Sequence, residues 1–316
     1  MPRKPAIHQP ASRMRLSAHL VWAIFRLVAA LPLPALQAVG GWLGRRRRGR
    51  GRRIAEYNLA LCFPELEPGQ RQQLVDSALA GLGQGMFEAF AIWTRPRRAL
   101  AWIGQVHGAE RLQQARAAGK GVLILAPHLG AWELLNLYLA ATGPGAVLYR
   151  PASSAALDEA IVRGRGALGM GQIPADRSAP RTIIRRLAAG DTIGILPDQQ
   201  PRLGEGVFVP FFGVQALTMT LAPRLSQRAP TLLAWAERLP DGAGFDLHFE
   251  PADAALRDPD PAVASAAMNA QIEALVRRHP EQYVWDYKRF SLRPEGEPER
   301  YGPGTRRRHR EPPAQD

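Results

Sequence analysis

An α/β fold with a mainly parallel central sheet flanked by helices follows from three observations on this 316-residue chain. Short all-apolar runs, GVLILA at 121–126, AVLY at 146–149 and TIGIL at 192–196, have the length and composition of buried strands. Helical patterns separate these runs, and strands alternating with helices are the signature of βαβ units. A content of 46% hydrophobic and 22% charged residues suits a folded globular body and excludes a wholly disordered or fibrous chain.

Taken from the N-terminus, residues 1–15 form a basic tail. Residues 16–44 are apolar apart from His19, Arg26 and Gln37, and are expected to hold an N-terminal membrane-anchoring helix. A span needs roughly 20 apolar residues, whereas the uncharged run Leu27 to Gly44 reaches 18 and contains Pro32 and Pro34. A spanning helix, an in-plane amphipathic anchor and a cleaved signal peptide are all compatible with it, the last least so because arginines follow directly. RRRRGRGRR at 45–53 forms a polybasic juxtamembrane segment. Each arginine gains about 1 kcal/mol near an anionic leaflet, and by the positive-inside rule the run keeps the body on the cytoplasmic side.

The body is expected over 54–301. Leu74, Leu79, Leu82, Met86, Phe87, Phe90 and Trp93 mark an amphipathic helix within 66–93. Further helices are expected at 131–141, 155–163, 180–189 and 262–278, with strands at 231–236 and 245–250. The segment 302–316 lacks apolar periodicity and is expected to be disordered.

Charge is unevenly placed. With +13 in all, +12 before residue 54 and +2 after Gly304, the residues between carry a net −1. A near-neutral body argues against nucleic acid as a partner. Arginine outnumbers lysine 38 to 3, a compositional bias that weakens any single Arg-over-Lys choice. The single cysteine, Cys62, excludes an intrachain disulfide and any multi-cysteine metal site. His8, His19, His107, His248, His279 and His309 are scattered singly, so no metal is expected. GRGALG at 164–169 matches GxGxxG but follows a charged helical pattern instead of a strand, which excludes a dinucleotide site.

The chemistry concentrates where GVLILA runs into Pro127 and then His128-Leu129-Gly130-Ala131-Trp132-Glu133. On one ideal helix His128 and Glu133 would lie about 140° apart and could not meet. With His128 in the turn and Glu133 in the first helical turn they can. A carboxylate on one imidazole nitrogen fixes the tautomer and leaves the other free to accept a proton, giving a general base without a nucleophile of its own. A helix-capping histidine beside an unrelated surface glutamate satisfies the same spacing.

APHLGAWE at 126–133 resembles the HxxxxD/E block of glycerolipid-type acyltransferases, in the glutamate form of the late lipid A biosynthesis acyltransferases. The likeness extends to NLALCFPEL at 58–66, YRP at 149–151 with Arg165 beyond it, GILPDQQPRLGEGVFVPFFG at 194–213 and PEQYVWDYKRFSLRPEG at 280–296. Five blocks stand in family order. Gln200 departs from the family, many of whose members carry Asp there, and the GEG at 204–206 is not universal.

The resemblance implies a glycerolphosphate-acyltransferase-like fold and an inner-membrane enzyme with its catalytic domain on the cytoplasmic face. It would move a fatty acyl chain from acyl carrier protein to a hydroxyl of a lipid A precursor without a cofactor. His128 would be the general base and Glu133 its orienting partner. Arg150 and Arg165 are candidates for oxyanion stabilisation or phosphate binding, with a structural salt bridge the alternative. Asp198 would hold Arg165 or the acceptor sugar, with turn capping the alternative; Glu205 and Arg289 are further substrate-binding candidates, Glu205 otherwise part of a turn and Arg289 otherwise packing the C-terminal segment. Phe208, Phe211 and Phe212 fit core or an acyl groove; Tyr283 and Trp285 fit a packing role. Other acceptors (a lysophospholipid, glycosylated lipid, aminolipid or pigment) and a non-catalytic membrane-bound binding protein are the alternatives.

Overall fold

The computed structural model describes residues 15–302; the basic residues before Arg15 and the C-terminal segment expected to be disordered, from 303 on, lie outside the described residues. Nine strands follow in chain order: β1 (Ile103–His107), β2 (Val122–Leu125), β3 (Gly145–Tyr149), β4 (Gly171–Pro174), β5 (Thr192–Ile195), β6 (Gly206–Phe211), β7 (Val214–Met219), β8 (Thr231–Arg238) and β9 (Phe245–Pro251). The helices are α1 (Leu16–Val28), α2 (Leu33–Arg45), α3 (Arg50–Cys62), α4 (Pro68–Thr94), α5 (Pro96–Leu100), α6 (Ala109–Ala117), α7 (Trp132–Thr142), α8 (Ala155–Arg165), α9 (Ala179–Ala188), α10 (Leu221–Ser226) and α11 (Pro261–Arg278).

Seven strands form one sheet in the order β1-β9-β8-β2-β5-β3-β4, and β6 and β7 form a separate hairpin. Every pairing in the sheet is parallel except β8 with β9. The unbroken apolar runs of β2 and β5 are buried along their whole length because helices cover both faces. On one face Leu123, Leu125, Ile193 and Ile195 pack with Ile54 and Leu59 of α3, Ile183 of α9 and Ile272 of α11. On the other, Val122 and Ile124 pack with Leu134 and Leu135 of α7 and Ile92 and Trp93 of α4.

The expected N-terminal helix is two helices, bent by 112°. Pro32 and Pro34 are the cause: proline lacks the amide and clashes with the preceding turn, so it starts a helix well and continues one badly. Arg98 caps the break, its Nη1 donating to the Ala29 carbonyl (3.0 Å) and its Nη2 to that of Leu31 (2.9 Å). Each helix has 13 residues, about 20 Å at 1.5 Å per residue. Among the described residues no single helix is long and apolar enough to cross a membrane, though the bent pair passes together by length and composition.

α2 packs on α4 at backbone distance. A Cβ on Gly44 would lie 2.0 Å from the Leu79 carbonyl oxygen, and one on Gly83 would lie 2.1 Å from that of Gly40. Beneath this contact Glu88 accepts from Arg238 Nε (2.6 Å) and Nη2 (2.7 Å) and from Gln37 Nε2 (2.8 Å), tying α2, α4 and β8 through one buried carboxylate. The polybasic run divides: Arg45 ends α2, Arg50 to Arg53 begin α3, and Arg47 reaches Asp286 at 2.8 Å.

Candidate active site

β2 stops at Pro127 and the chain turns sharply before α7. Gly130 makes that turn at φ +62°, and a Cβ there would lie 1.9 Å from the Ala236 oxygen, so the position needs glycine for both conformation and space. The turn is stitched on both sides. Gly130 N–H donates to Gln282 (3.0 Å), Ala131 N–H to Ala236 (2.9 Å), and the His128 carbonyl accepts from Val284 N–H (3.1 Å). The segment 282–287 is itself held by Asn58, whose Nδ2 donates to the carbonyls of Trp285 (2.7 Å) and Tyr287 (2.8 Å).

His128 projects from this turn into a cleft of about 1420 Å³ at the C-terminal ends of the strands. Its Nδ1 lies 2.8 Å from Asp198 Oδ1, and its backbone N–H donates to Asp198 Oδ2 (2.9 Å). Asp198 is 3% exposed and also interacts with the Tyr283 hydroxyl. Burial pushes the Asp198 carboxyl up, but the charge and hydrogen bonds of His128 outweigh it and hold the group below its usual range. An ionised Asp198 fixes the proton on Nδ1 and leaves the Nε2 lone pair facing the cleft. The Gln199 side-chain amide stands 3.1 Å from that nitrogen, and Trp132 packs edge-on to the ring at 5.3 Å.

The carboxylate that holds His128 is therefore Asp198, where Glu133 was expected. Glu133 opens α7 with its side chain committed elsewhere: Arg165 Nε donates to Oε2 (3.0 Å), Arg165 Nη2 to Oε1, and Trp93 Nε1 to Oε2 (2.9 Å). Burial pushes the Glu133 carboxyl up, and the charge and hydrogen bonds of Arg165, with the Trp93 bond and the His128 charge, bring it below its usual value. Glu133 remains in the same cleft as His128 and acts on it through charge. Asp198, expected on Arg165 or a sugar, instead braces the imidazole; Arg165 belongs to Glu133. The two carboxylates have exchanged partners relative to expectation because α7 turns Glu133 toward α4 and α8.

Arg150 lines the cleft and is exposed; Glu205 also lines it, 3.9 Å from Arg202. Arg289 does not line it. It is buried, donating to the Leu217 carbonyl (2.7 Å) and Thr218 hydroxyl (2.8 Å) beneath the β6–β7 hairpin, where burial lowers its pKa. Phe211 and Phe212 sit in the core with Trp285 and Tyr283. The Phe and Arg289 positions thus build the wall behind the site. Sequence reasoning missed Gln199, Trp93 and Asn58. Asn58 lay inside the quoted NLALCFPEL block, so its signal was present and its partner was not.

A doubly covered parallel sheet that presents a carboxylate-braced imidazole in a large cleft at its strand ends has the arrangement of groups that general acid–base enzymes use. Comparison with known proteins narrows the class. The profile of the bacterial lipid A biosynthesis acyltransferases matches residues 6–291. The chain is 32% identical to the lipid A biosynthesis lauroyltransferase of Escherichia coli K12 over 291 residues, 89% of this chain and 94% of that one. It is 30% identical to the palmitoleoyltransferase of the same organism (89% and 94% covered) and 27% identical to its myristoyltransferase (85% and 83%). The chain belongs to the bacterial lipid A biosynthesis acyltransferase family, and is an acyltransferase of lipid A synthesis.

Proposed function

We propose that the chain transfers a fatty acyl group from the thioester of acyl carrier protein to a hydroxyl of a lipid A precursor, with His128 as general base. The observation that carries this reading is the Asp198–His128 pair, with Nε2 directed into the cleft. The acceptor oxygen attacks the thioester carbonyl carbon as its proton passes to Nε2. The C–O bond forms, the C–S bond breaks, and the departing sulfur takes the proton back from the imidazolium. Asp198 stabilises the imidazolium between these steps. Gln199 occupies the seat of the attacking hydroxyl in the free protein and yields it to the acceptor. Arg165 lines the cleft with Nη1 unused by Glu133, and supplies positive charge for the tetrahedral oxyanion. No cofactor or metal enters this scheme.

The same reading places the site at the cytoplasmic face of the inner membrane. Leu16, Leu20, Ile24 and Leu27 of α1, and Val39, Trp42 and Leu43 of α2, are large apolar side chains left exposed. Leu43 and Met86, both exposed, also line the cleft, so an acyl chain can pass from an apolar phase into it. Two short helices at 112° with a solvent-side apolar stripe suit an anchor lying in the leaflet. To test the reaction, detergent-purified protein is given acyl carrier protein bearing a labelled chain and a lipid A precursor. Label on the precursor, reduced on the order of 10²-fold or more by His128→Ala, is the expected result. Label on another lipid alone, or full activity in the folded variant, refutes the assignment.

A further inference from the structure

With Arg165 paired to Glu133 and Arg47 to Asp286, five other arginines line the cleft. Arg150, Arg177 and Arg202 come from the segments that follow β3, β4 and β5, and Arg224 and Arg228 stand four residues apart on and just beyond α10. All five are exposed. The β3–β4 register brings the first two together: Tyr149 pairs with Pro174, and Ala175 N–H donates to the Tyr149 carbonyl (2.9 Å). Arg202 stands close enough that its charge helps the Ser178 hydrogen bonds keep the Asp176 carboxyl low.

Elsewhere the arginines are largely neutralised: Arg186, Arg238, Arg277 and Arg278 each pair with a carboxylate. Among the described residues the one carboxylate ion-paired to any of the five is Glu205, at 3.9 Å from Arg202. Asp176 lines the same region, with its Oδ1 taken by the amide and hydroxyl of Ser178 (both 2.7 Å). Four sequence segments thus deliver like charges to one cleft at the C-terminal edge of a parallel sheet, where α/β folds bind ligands. A multivalent anion would bridge several of these like charges at once, and guanidinium forks match phosphoryl oxygens in pairs.

We infer that this part of the cleft is a phosphoryl-binding subsite, with Arg177, Arg202, Arg224 and Arg228 as specificity residues beside Arg150. The inference rests on the acyltransferase reading for the ligand's identity. Two substrates of that reaction can supply the group, a phosphorylated lipid acceptor or the phosphodiester of the carrier protein's thiol arm.

The test uses full-length protein in detergent, comparing wild type with Arg177→Gln/Arg202→Gln and with Arg224→Gln/Arg228→Gln. Each is assayed with the acceptor intact or dephosphorylated, and with the acyl carrier protein or an acyl-N-acetylcysteamine thioester, which has no phosphate. The expected result is a KM raised about tenfold or more per pair, the factor that corresponds to loss of at least one charge-assisted bond. It appears only with the substrate whose phosphoryl group the site holds, kcat at saturation is retained, and removing that group from the substrate abolishes the difference. Unchanged KM values in all pairings, or a uniform fall in kcat, overturn the subsite. Wild-type protein that transfers no chain in any pairing refutes the acyltransferase reading instead. The subsite is then judged by equilibrium binding of the phosphorylated and dephosphorylated lipids, where equal retention overturns it.

Discussion

Asp198 and Glu133 are buried carboxylates, Asp198 bonded to His128 behind the cleft and Glu133 lining it, and their substitutions should fail in different ways. Asp198→Asn keeps the shape but removes the charge that held Nδ1–H, so kcat should fall on the order of 10²-fold or more, with a smaller loss of melting temperature than Glu133→Gln. Glu133→Gln leaves the guanidinium of Arg165 buried without its counter-charge, a loss of about 3–5 kcal/mol for a broken buried pair. Calorimetry beside single-turnover kinetics separates the two; a stable Glu133→Gln protein would refute the structural role. Both carboxyls are held below their ordinary values of 3.8 and 4.5. Their contribution to stability is therefore complete at neutral pH and is lost only as pH falls below about 4 and through the lowered values. Urea midpoints should show no transition from these groups between pH 5 and 8. His128 was legible from its position after a buried strand. Its partner was not, because a local spacing of five drew attention to Glu133. The pairing is written in the register: Val122 stands opposite Thr192 and Leu125 opposite Ile195, and carrying that offset three residues past each strand, across Pro127 and Pro197, puts His128 beside Asp198. Only knowing that β2 and β5 are neighbours makes this readable.

Among the elements, α4 does the most to set the site, since its Trp93 holds Glu133 while its glycine face receives α2. Gly83→Leu should destabilise the protein by several kcal/mol, because the clash is with backbone and neither helix can give way. A thermal melt of the detergent-solubilised variant checks it, and a wild-type melting temperature would show that α2 is not bound as described. Long helices and central strands were read correctly from periodicity. β1, β4, β6 and β7 were not. β4 is four residues beginning in Gly and ending in Pro, and β1, at the sheet edge, has Gly104, Gln105 and His107 exposed, so neither gives an apolar run. The β6–β7 hairpin did carry a signal: Phe212 and Gly213 both take positive φ, the two-residue turn that glycine favours. Its phenylalanines fitted core or an acyl groove, and Phe211 and Phe212 are core while Phe208 is half-buried.

For the whole molecule, the charge excess and the apolar N-terminus bear on one surface. Arg45, Arg46 and Arg48 are exposed beside Trp42 and Leu43, whereas Arg47 and Arg52 are engaged with Asp286 and with Asp76 and Glu56. Replacing Arg45, Arg46 and Arg48 by Gln should lower partitioning onto anionic vesicles on the order of 10²-fold, at about 1 kcal/mol per arginine, while turnover on detergent-dispersed substrate stays intact. Leu20→Ser/Ile24→Ser should weaken binding to neutral and anionic vesicles alike. Co-sedimentation distinguishes them, and unchanged binding by both variants would refute attachment through this surface. Composition had divided the chain into an anchor, a collar and a body. Packing joins them, because Gly40 and Gly44 of the apolar run meet the backbone of α4 directly.

The glycine-to-glycine seam between α2 and α4 bears on how this enzyme can be handled. Phe25 of α1 stacks on Phe90 at 4.3 Å and touches Trp93, and Leu43 and Gly44 of α2 form part of the cleft wall. Cutting away the first 45 residues to obtain a water-soluble catalytic fragment would strip one wall from the reaction chamber and leave a bare trough along α4. Such a fragment should aggregate and be inactive. Solubility has to come from polar replacements on the outer stripe, with the hinge and its glycines kept.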